Sequence, residues 1–263
     1  MKASFLKVIN PAPILNTKNF NSVFGGKNKR DLKTDEKGHI RALEFIALKD
    51  MIFEIIEKTD FPYIYKIKCD FYKNNYYEKS ELYIDSRFTT FIKDQKEISL
   101  KYILDKKKIL KNLLSYLGRE YLWGGNFSKG IKTLSKYYPA AKSLQQKEKD
   151  KWILKGVDCS GILFEATNGY TPRNTSELLN YKEPVFIKDL KPDQIAKNVK
   201  PLDIIVFKGH DVIVLDSNYT IESSENFGVI KTPLIERLNE IHKTKKAANF
   251  YKNDNDYVIR RWI

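Results

Sequence analysis

Apolar and polar positions change texture twice along this chain. The first forty or so residues are polar and rich in turn formers, with Asn10-Pro11-Ala12-Pro13 and Phe24-Gly25-Gly26-Lys27 reading as loops. Apolar and polar residues then alternate, with β-branched types prominent. Leu43 to Leu48, Met51 to Glu57, Tyr63 to Cys69 and Glu81 to Ile84 each predict a short strand. Several short strands this closely spaced predict a small all-β barrel. Near Leu100 the period becomes helical: Ile103, Ile109, Leu110, Leu113, Leu114 and Leu117 form one apolar stripe that stops at Gly118. The domain boundary is placed just before that stripe, giving an all-β part over 1–97 and a second domain over 98–263.

The second part predicts a helix over about 100–117, a turn at Trp123-Gly124-Gly125, an irregular stretch, and a buried helix opening at Cys159 and stopping at Asn168-Gly169. Strands follow at Asp203 to Phe207, Asp211 to Asp216 and Tyr219 to Glu222. A helix over about Leu234 to His242 and a last strand, Tyr257 to Trp262, close the chain. Helices first and an antiparallel meander after them is an α+β layout.

Composition narrows the classes. With 42% hydrophobic and 13% aromatic residues the chain can bury a core, which excludes global disorder. The formal charge of +14 suits nucleic acid, an anionic membrane face or an anionic wall polymer. The lysines are scattered, however, and Ile, Asn, Lys and Tyr are abundant together, so compositional bias is the preferred reading over nucleic-acid binding. No stretch approaches the roughly 20 apolar residues of a membrane helix. The N-terminal run from Met1 to Ile9 is broken by Lys7 and ends at Asn10-Pro11, short and charged for a signal segment. The expectation is a cytoplasmic chain, or an envelope protein whose leader has been removed.

Two cysteines are present. Cys69 ends an alternating run and reads as an inward-facing strand residue. Cys159 lies in Val157-Asp158-Cys159-Ser160-Gly161, ahead of the apolar run Ile162 to Ala166, and so falls in the first turn of a buried helix. The partial positive charge there favours a thiolate, and the free N–H groups beside it can hold an oxyanion. The competing reading is a small buried cysteine packed as a hydrophobe. If Cys159 is a nucleophile, no disulfide is available.

A cysteine nucleophile needs a base. His39 lies in the polar N-terminal region and His242 late in a lysine-rich helix, and both read as solvated. His210 follows Gly209 at the start of a strand, where it can face a cleft. Glu222 comes twelve residues later, on the next strand of a hairpin, so the two side chains can sit side by side. There a carboxylate would accept the Nδ1–H and leave Nε2 for the thiol proton. A surface glutamate is the alternative. Three separated histidines and one spare cysteine offer no metal-ligand spacing, and no cofactor is implied.

Five motifs then occur in order: Tyr121-Leu122-Trp123-Gly124-Gly125, Asp158-Cys159-Ser160-Gly161, Thr171-Pro172-Arg173-Asn174-Thr175-Ser176, Lys200-Pro201-Leu202-Asp203 and Gly209-His210-Asp211-Val212. Together they resemble the NlpC/P60 cysteine peptidases, papain-like enzymes that cut bacterial cell-wall peptides. The resemblance spans roughly residues 100–263, and the β-rich first part looks like the bacterial SH3 domains that often accompany these enzymes. It implies Cys159 as nucleophile, His210 as base and Glu222 in the third, polar position, where many members carry His, Asn or Gln. It further implies that Tyr121 assists the oxyanion, and that Asp158 and Ser160 bind the free amine and the carboxylate of the wall peptide. Helix capping by Asp158 and first-turn packing by Ser160 stay open beside those roles. Arg173 either clamps a substrate carboxylate or holds a loop. Residues 126–157 form a 32-residue insert where the family has a short link, expected as a rim or lid over the cleft.

The function so implied is hydrolysis of peptidoglycan stem peptides between γ-D-glutamate and the following diamino acid, diaminopimelate or lysine. The partners expected are wall-derived peptides, with neither nucleic acid nor an integral membrane segment. A non-catalytic wall-binding protein, and an amidase or acyltransferase on another substrate, are the alternatives.

Overall fold

The computed structural model describes residues 4–72, 81–93 and 104–263. The chain has mixed α and β structure with antiparallel sheets, arranged as two compact units. One comprises Met1–Tyr102 with Leu122–Gly156, the other Ile103–Tyr121 with Val157–Ile263. The expected cut at 97/98, and the start of the helix expected from 100, lie outside the described residues. The division is in any case not a single cut, because Leu122–Gly156 joins the first unit.

The first unit holds a seven-stranded antiparallel sheet. Its strands run in the order Leu43–Ala47, Ala12–Leu15, Leu82–Asp85, Ile64–Lys68, Ile52–Lys58, Phe5–Val8 and Thr89–Ile92. Four of these match the alternating runs. The two N-terminal strands do not, since that region reads as loops. Ala12–Leu15 is buried at all four positions, so it lacks the in-and-out alternation that marks a half-exposed strand. Cys69 falls just past its strand and is half-buried rather than inward-facing.

The insert as far as Gly156 packs within this unit. Asn126 accepts the Ile46 N–H and donates to the Ile46 carbonyl, both at 2.8 Å, like a short piece of extra strand. Tyr138 donates to Asp85 at 2.8 Å, and the Trp152 indole donates to the Tyr138 carbonyl at 2.8 Å. Each of these buried polar groups thereby avoids the cost of an unmade bond, about 1–3 kcal/mol. His39 is not solvated as expected: it is buried against the Trp123 ring, 5.4 Å between centroids.

The second unit holds a seven-stranded sheet, six strands of which run antiparallel in the order Glu183–Val185, Asp256–Arg261, Ile204–Phe207, His210–Val214, Tyr219–Ser224 and Gly228–Pro233. The short strand Lys246–Ala247 adds a parallel pairing to Asp256–Arg261. Alternation along the central strands sorts two cores. Ile204, Val206, Ile213 and Ile221 pack with Ile109 and Leu113 of the helix Lys106–Ser115 and with Ile162, Leu163 and Ala166 of the helix Cys159–Ala166. Ile205, Val212 and Val214 pack with Leu234, Leu238 and Ile241 of the helix Leu234–Thr244. Burying each such side chain is worth about 1.5–3 kcal/mol. The Cys159 helix, with Ser160 and Gly161 in its first turn, is therefore fixed by packing rather than by propensity.

Candidate active site

Cys159 is the first residue of its helix, and Asp158 caps that helix by accepting the Gly161 N–H at 2.7 Å. Tyr121 is brought beside them by a bridge to Val157, while Ser223 donates to the Val157 carbonyl at 2.7 Å from the strand Tyr219–Ser224. The lead-in to the cysteine is thus tied down on two sides.

Two hydrogen-bonded groups meet at Gly209-His210-Asp211. The first is His210–Glu222–Arg237. The hairpin turn Lys208-Gly209, with Gly209 at φ +80°, places His210 at the head of its strand. His210 Nε2 lies 2.6 Å from Glu222 Oε2. The alternation that turns Ile221 and Ser223 towards the cysteine helix turns Glu222 to the opposite face, where Arg237 of the helix Leu234–Thr244 donates to both its oxygens at 2.6 and 2.8 Å. Burial pushes the Glu222 carboxyl up, but the bonds and charges of His210 and Arg237 outweigh it and hold the group below the usual range. The nitrogen engaged is Nε2, so the expectation that Nδ1 would face the carboxylate is corrected.

The second group is Cys159–Thr175–Asp211. The sulfur lies 3.4 Å from Thr175 Oγ1 and 3.9 Å from the Gly209 carbonyl, and His210 is not among its hydrogen-bond partners. Thr175 donates to Asp211 Oδ1 at 3.0 Å. Burial, then the negative charges of Asp211 and Asp158, raise the Cys159 thiol well above its ordinary value. The bonds from Thr175 and the Ser160 backbone only partly offset this. The expected thiolate is therefore a neutral thiol in this state, because desolvation and two carboxylates outweigh the helix N-terminus.

The remaining expected residues form one buried cluster. Arg173, 2% exposed, donates to both oxygens of Asp158 at 2.9 and 2.6 Å and to Ser160 Oγ at 3.1 Å. Ser160 Oγ in turn donates to the Arg173 carbonyl at 2.6 Å. Arg173 is thus engaged as an internal counter-ion that holds the Thr171–Ser176 loop to the cysteine helix. Burial keeps the Tyr121 phenol protonated, its proton affinity raised further by Asp158 and Cys159. His242 is exposed, 3.2 Å from the Tyr257 hydroxyl and outside both groups. A cavity of about 590 Å³ elsewhere in this unit is lined by Lys188, Lys191, His242, Lys246 and Phe250 among others, and no residue of either group borders it.

Sequence reasoning missed Arg237, Thr175 and Asp211. Thr175 and Asp211 sit inside motifs quoted for other residues. The signal for Arg237 was a cation three residues after Leu234 and beside Leu238, at the rim of an apolar stripe that faces the Glu222 strand.

No family model and no curated protein sequence matches the chain. Among solved structures it is similar to an NlpC/P60 family protein from Bacillus cereus ATCC 10987, with 14% identity, a TM-score of 0.36, and coverage of 99% of this chain and 63% of that one. It is also similar to NlpC2 from Trichomonas vaginalis, with 16% identity, a TM-score of 0.33, and coverage of 99% and 73%. NlpC1 from the same organism gives 14% identity, a TM-score of 0.35, and coverage of 99% and 69%. The chain spans less than two thirds of the first of these proteins. At such scores the likeness says nothing about activity, and the chemistry rests on the side chains. Among the described residues no group of three or more His, Cys, Asp or Glu could hold a metal ion, and no helix is long and apolar enough to cross a membrane.

Proposed function

We propose that this protein is a cysteine endopeptidase that hydrolyses peptidoglycan stem peptides at the bond between γ-D-glutamate and diaminopimelate or lysine. The observation that carries the reading is a cysteine at the first turn of a packed helix, beside a strand whose leading histidine is held by a buried, arginine-braced carboxylate. Such a histidine is oriented and ready to stabilise as imidazolium, which a structural histidine does not require. His210 Nδ1 takes the thiol proton as Cys159 attacks the carbonyl, and the first-turn N–H groups and Tyr121 meet the oxyanion. The imidazolium returns the proton to the leaving amine, leaving a thioester. Water, deprotonated by His210, then releases the acid and the thiol.

The substrate class comes from the sequence resemblance, as does the SH3-like, wall-binding role proposed for the N-terminal unit. Asp158 and Ser160 receive the free amine and the carboxylate in this reading. Asp158 is already paired to Arg173, so an incoming ammonium shares the carboxylate instead of neutralising it. Arg173 then positions Asp158 and does not clamp substrate itself.

Mass spectrometry of L-Ala-γ-D-Glu-diaminopimelate incubated with wild type and Cys159→Ala tests the proposal. Release of L-Ala-γ-D-Glu by the wild type alone is expected. No release from a thiol that is still alkylated rapidly would overturn the substrate. The neutral thiol, not hydrogen-bonded to His210, favours one rival, a non-catalytic wall-binding protein. A sluggish thiol together with no release would support that rival instead.

A further inference from the structure

The peptidase reading leaves unused a buried carboxylate in the second hydrogen-bonded group. Asp211 is fully buried, and its Oδ2 has no hydrogen-bond partner. It shares strand parity with Ile213, which belongs to the core of the cysteine helix, so its side chain is directed at the nucleophile while His210 is held by Glu222. Thr175, whose hydroxyl has one proton to give, contacts both Asp211 and the sulfur, and Asp211 also meets the Cys159 side chain directly. The charged or titratable groups acting on Asp211 are His210 on its own strand and Asp158 and Cys159 at the head of the cysteine helix, Asp158 being itself paired to Arg173. Thr175 is the contact from the helix Thr175–Leu178.

We infer that Asp211, acting through Thr175, is a positioning residue that decides whether the Cys159 sulfur is held as a thiol or supported as a thiolate. The inference rests on Cys159 being the nucleophile. While Asp211 is ionised it draws the Thr175 proton to Oδ1. The sulfur then has the Ser160 N–H as its donor, but on the Thr175 side it meets acceptors, Thr175 Oγ1, the Gly209 carbonyl and the Asp211 carboxylate, and it keeps its own proton. Once Asp211 is protonated, its O–H donates to Thr175 Oγ1, and the Thr175 hydroxyl turns to donate to sulfur. The thiol proton can then leave to His210 Nδ1 with the sulfur still hydrogen-bonded. No bond other than these to hydrogen changes.

The sign follows from the site. Burial, reinforced by Asp158 and opposed by His210, Thr175 and Cys159, pushes the Asp211 carboxyl up to about 6. The chain of hydrogen bonds therefore points away from the sulfur above about pH 6 and towards it below. An ordinary thiol loses alkylation rate about tenfold for each pH unit of acidification. This one is expected to show a shoulder near pH 6, where the loss slackens.

Iodoacetamide alkylation of Cys159, followed by intact mass from pH 5 to 9, tests the inference without any peptide substrate. Asp211→Asn keeps the shape, removes the charge and supplies an N–H donor to Thr175, so the shoulder should vanish and the rate at pH 7.5 should rise. The gain should be about threefold per unit by which the thiol pKa falls, because lower basicity returns part of the tenfold gain in thiolate. Thr175→Ser should keep the shoulder and Thr175→Val should lose it. Asp211→Asn combined with Thr175→Val should be no faster than Thr175→Val alone. A double variant as fast as Asp211→Asn would reduce Asp211 to a bare charge effect and overturn the relay. So would a shoulder that persists in Thr175→Val, a comparison that stands even if Asp211→Asn fails to fold. Normal relay behaviour with no peptide cleavage would instead count against the substrate alone.

Discussion

Replacing Arg237 with leucine should expose how far the second unit depends on bracing a buried carboxylate. Glu222 is 2% exposed and its carboxylate meets Arg237 through two short contacts, 2.6 and 2.8 Å. Removing one partner of a fully buried pair costs about 3–5 kcal/mol, since the other charge is stranded. Here the Arg237 side chain is 18% exposed and His210 stays as a second partner, so the expected loss is about 2–3 kcal/mol. Combining Arg237→Leu with Glu222→Gln removes the stranded charge and should recover part of the loss, giving a coupling of about 2 kcal/mol. Hydrogen exchange read by mass spectrometry on peptides from 204–233 reports this unit by itself. The pH sign is fixed by the Glu222 carboxyl lying below its ordinary 4.5. The stability it contributes is present above about pH 4.5 and is lost as the pH falls through the lowered value. Without Arg237, burial has only the His210 bond against it, and that loss should begin at higher pH. A loss below about 0.5 kcal/mol, with additive double-variant energies, would refute the bracing.

Two further outcomes are expected. Glu222→Gln alone should keep an acceptor for His210 but lose the charge that stabilises its imidazolium, lowering kcat about tenfold or more with little change in KM. Steady-state assay of the tripeptide reads that split, and an unchanged kcat would remove Glu222 from the site. Gly228→Ala should destabilise the second unit by about 2–4 kcal/mol, combining overpacking with left-handed strain. Its Cβ would lie 2.2 Å from the Arg119 carbonyl at φ +65°, next to the Val229–Arg119 bond of 2.8 Å, and exchange at Val229 would report the loss.

The positions of Cys159, His210 and Glu222 were legible because each follows from a local pattern: a helix start, a strand start, and a hairpin spacing that sets two side chains abreast. The strands of the meander were legible for the same reason, as short β-branched apolar runs, Ile204 to Phe207 and Val212 to Val214, bounded by turn residues. Arg237 was not, because the helix Leu234–Thr244 shows an apolar stripe but nothing in its sequence says which strand residue it will meet. The state of the thiol was also hidden. A helix N-terminus can be read from Asp158-Cys159-Ser160, whereas the desolvation and the Asp211 carboxylate that reverse its effect belong to the folded interior. Ala12–Leu15 shows the opposite failure, in which two prolines nearby speak for a loop while tertiary burial makes a strand.

The chain passes between its two units three times, after Tyr102, Tyr121 and Gly156. During synthesis the N-terminal unit cannot close when its sheet has emerged, because Asn126, Tyr138 and Trp152 arrive later, after a helix that belongs elsewhere. The N-terminal unit is therefore not a bead that recombination could move or a truncation could remove. A fragment beginning after residue 97 would carry Leu122–Gly156 without the strands it packs on, leaving Trp152 and Leu154 exposed to solvent.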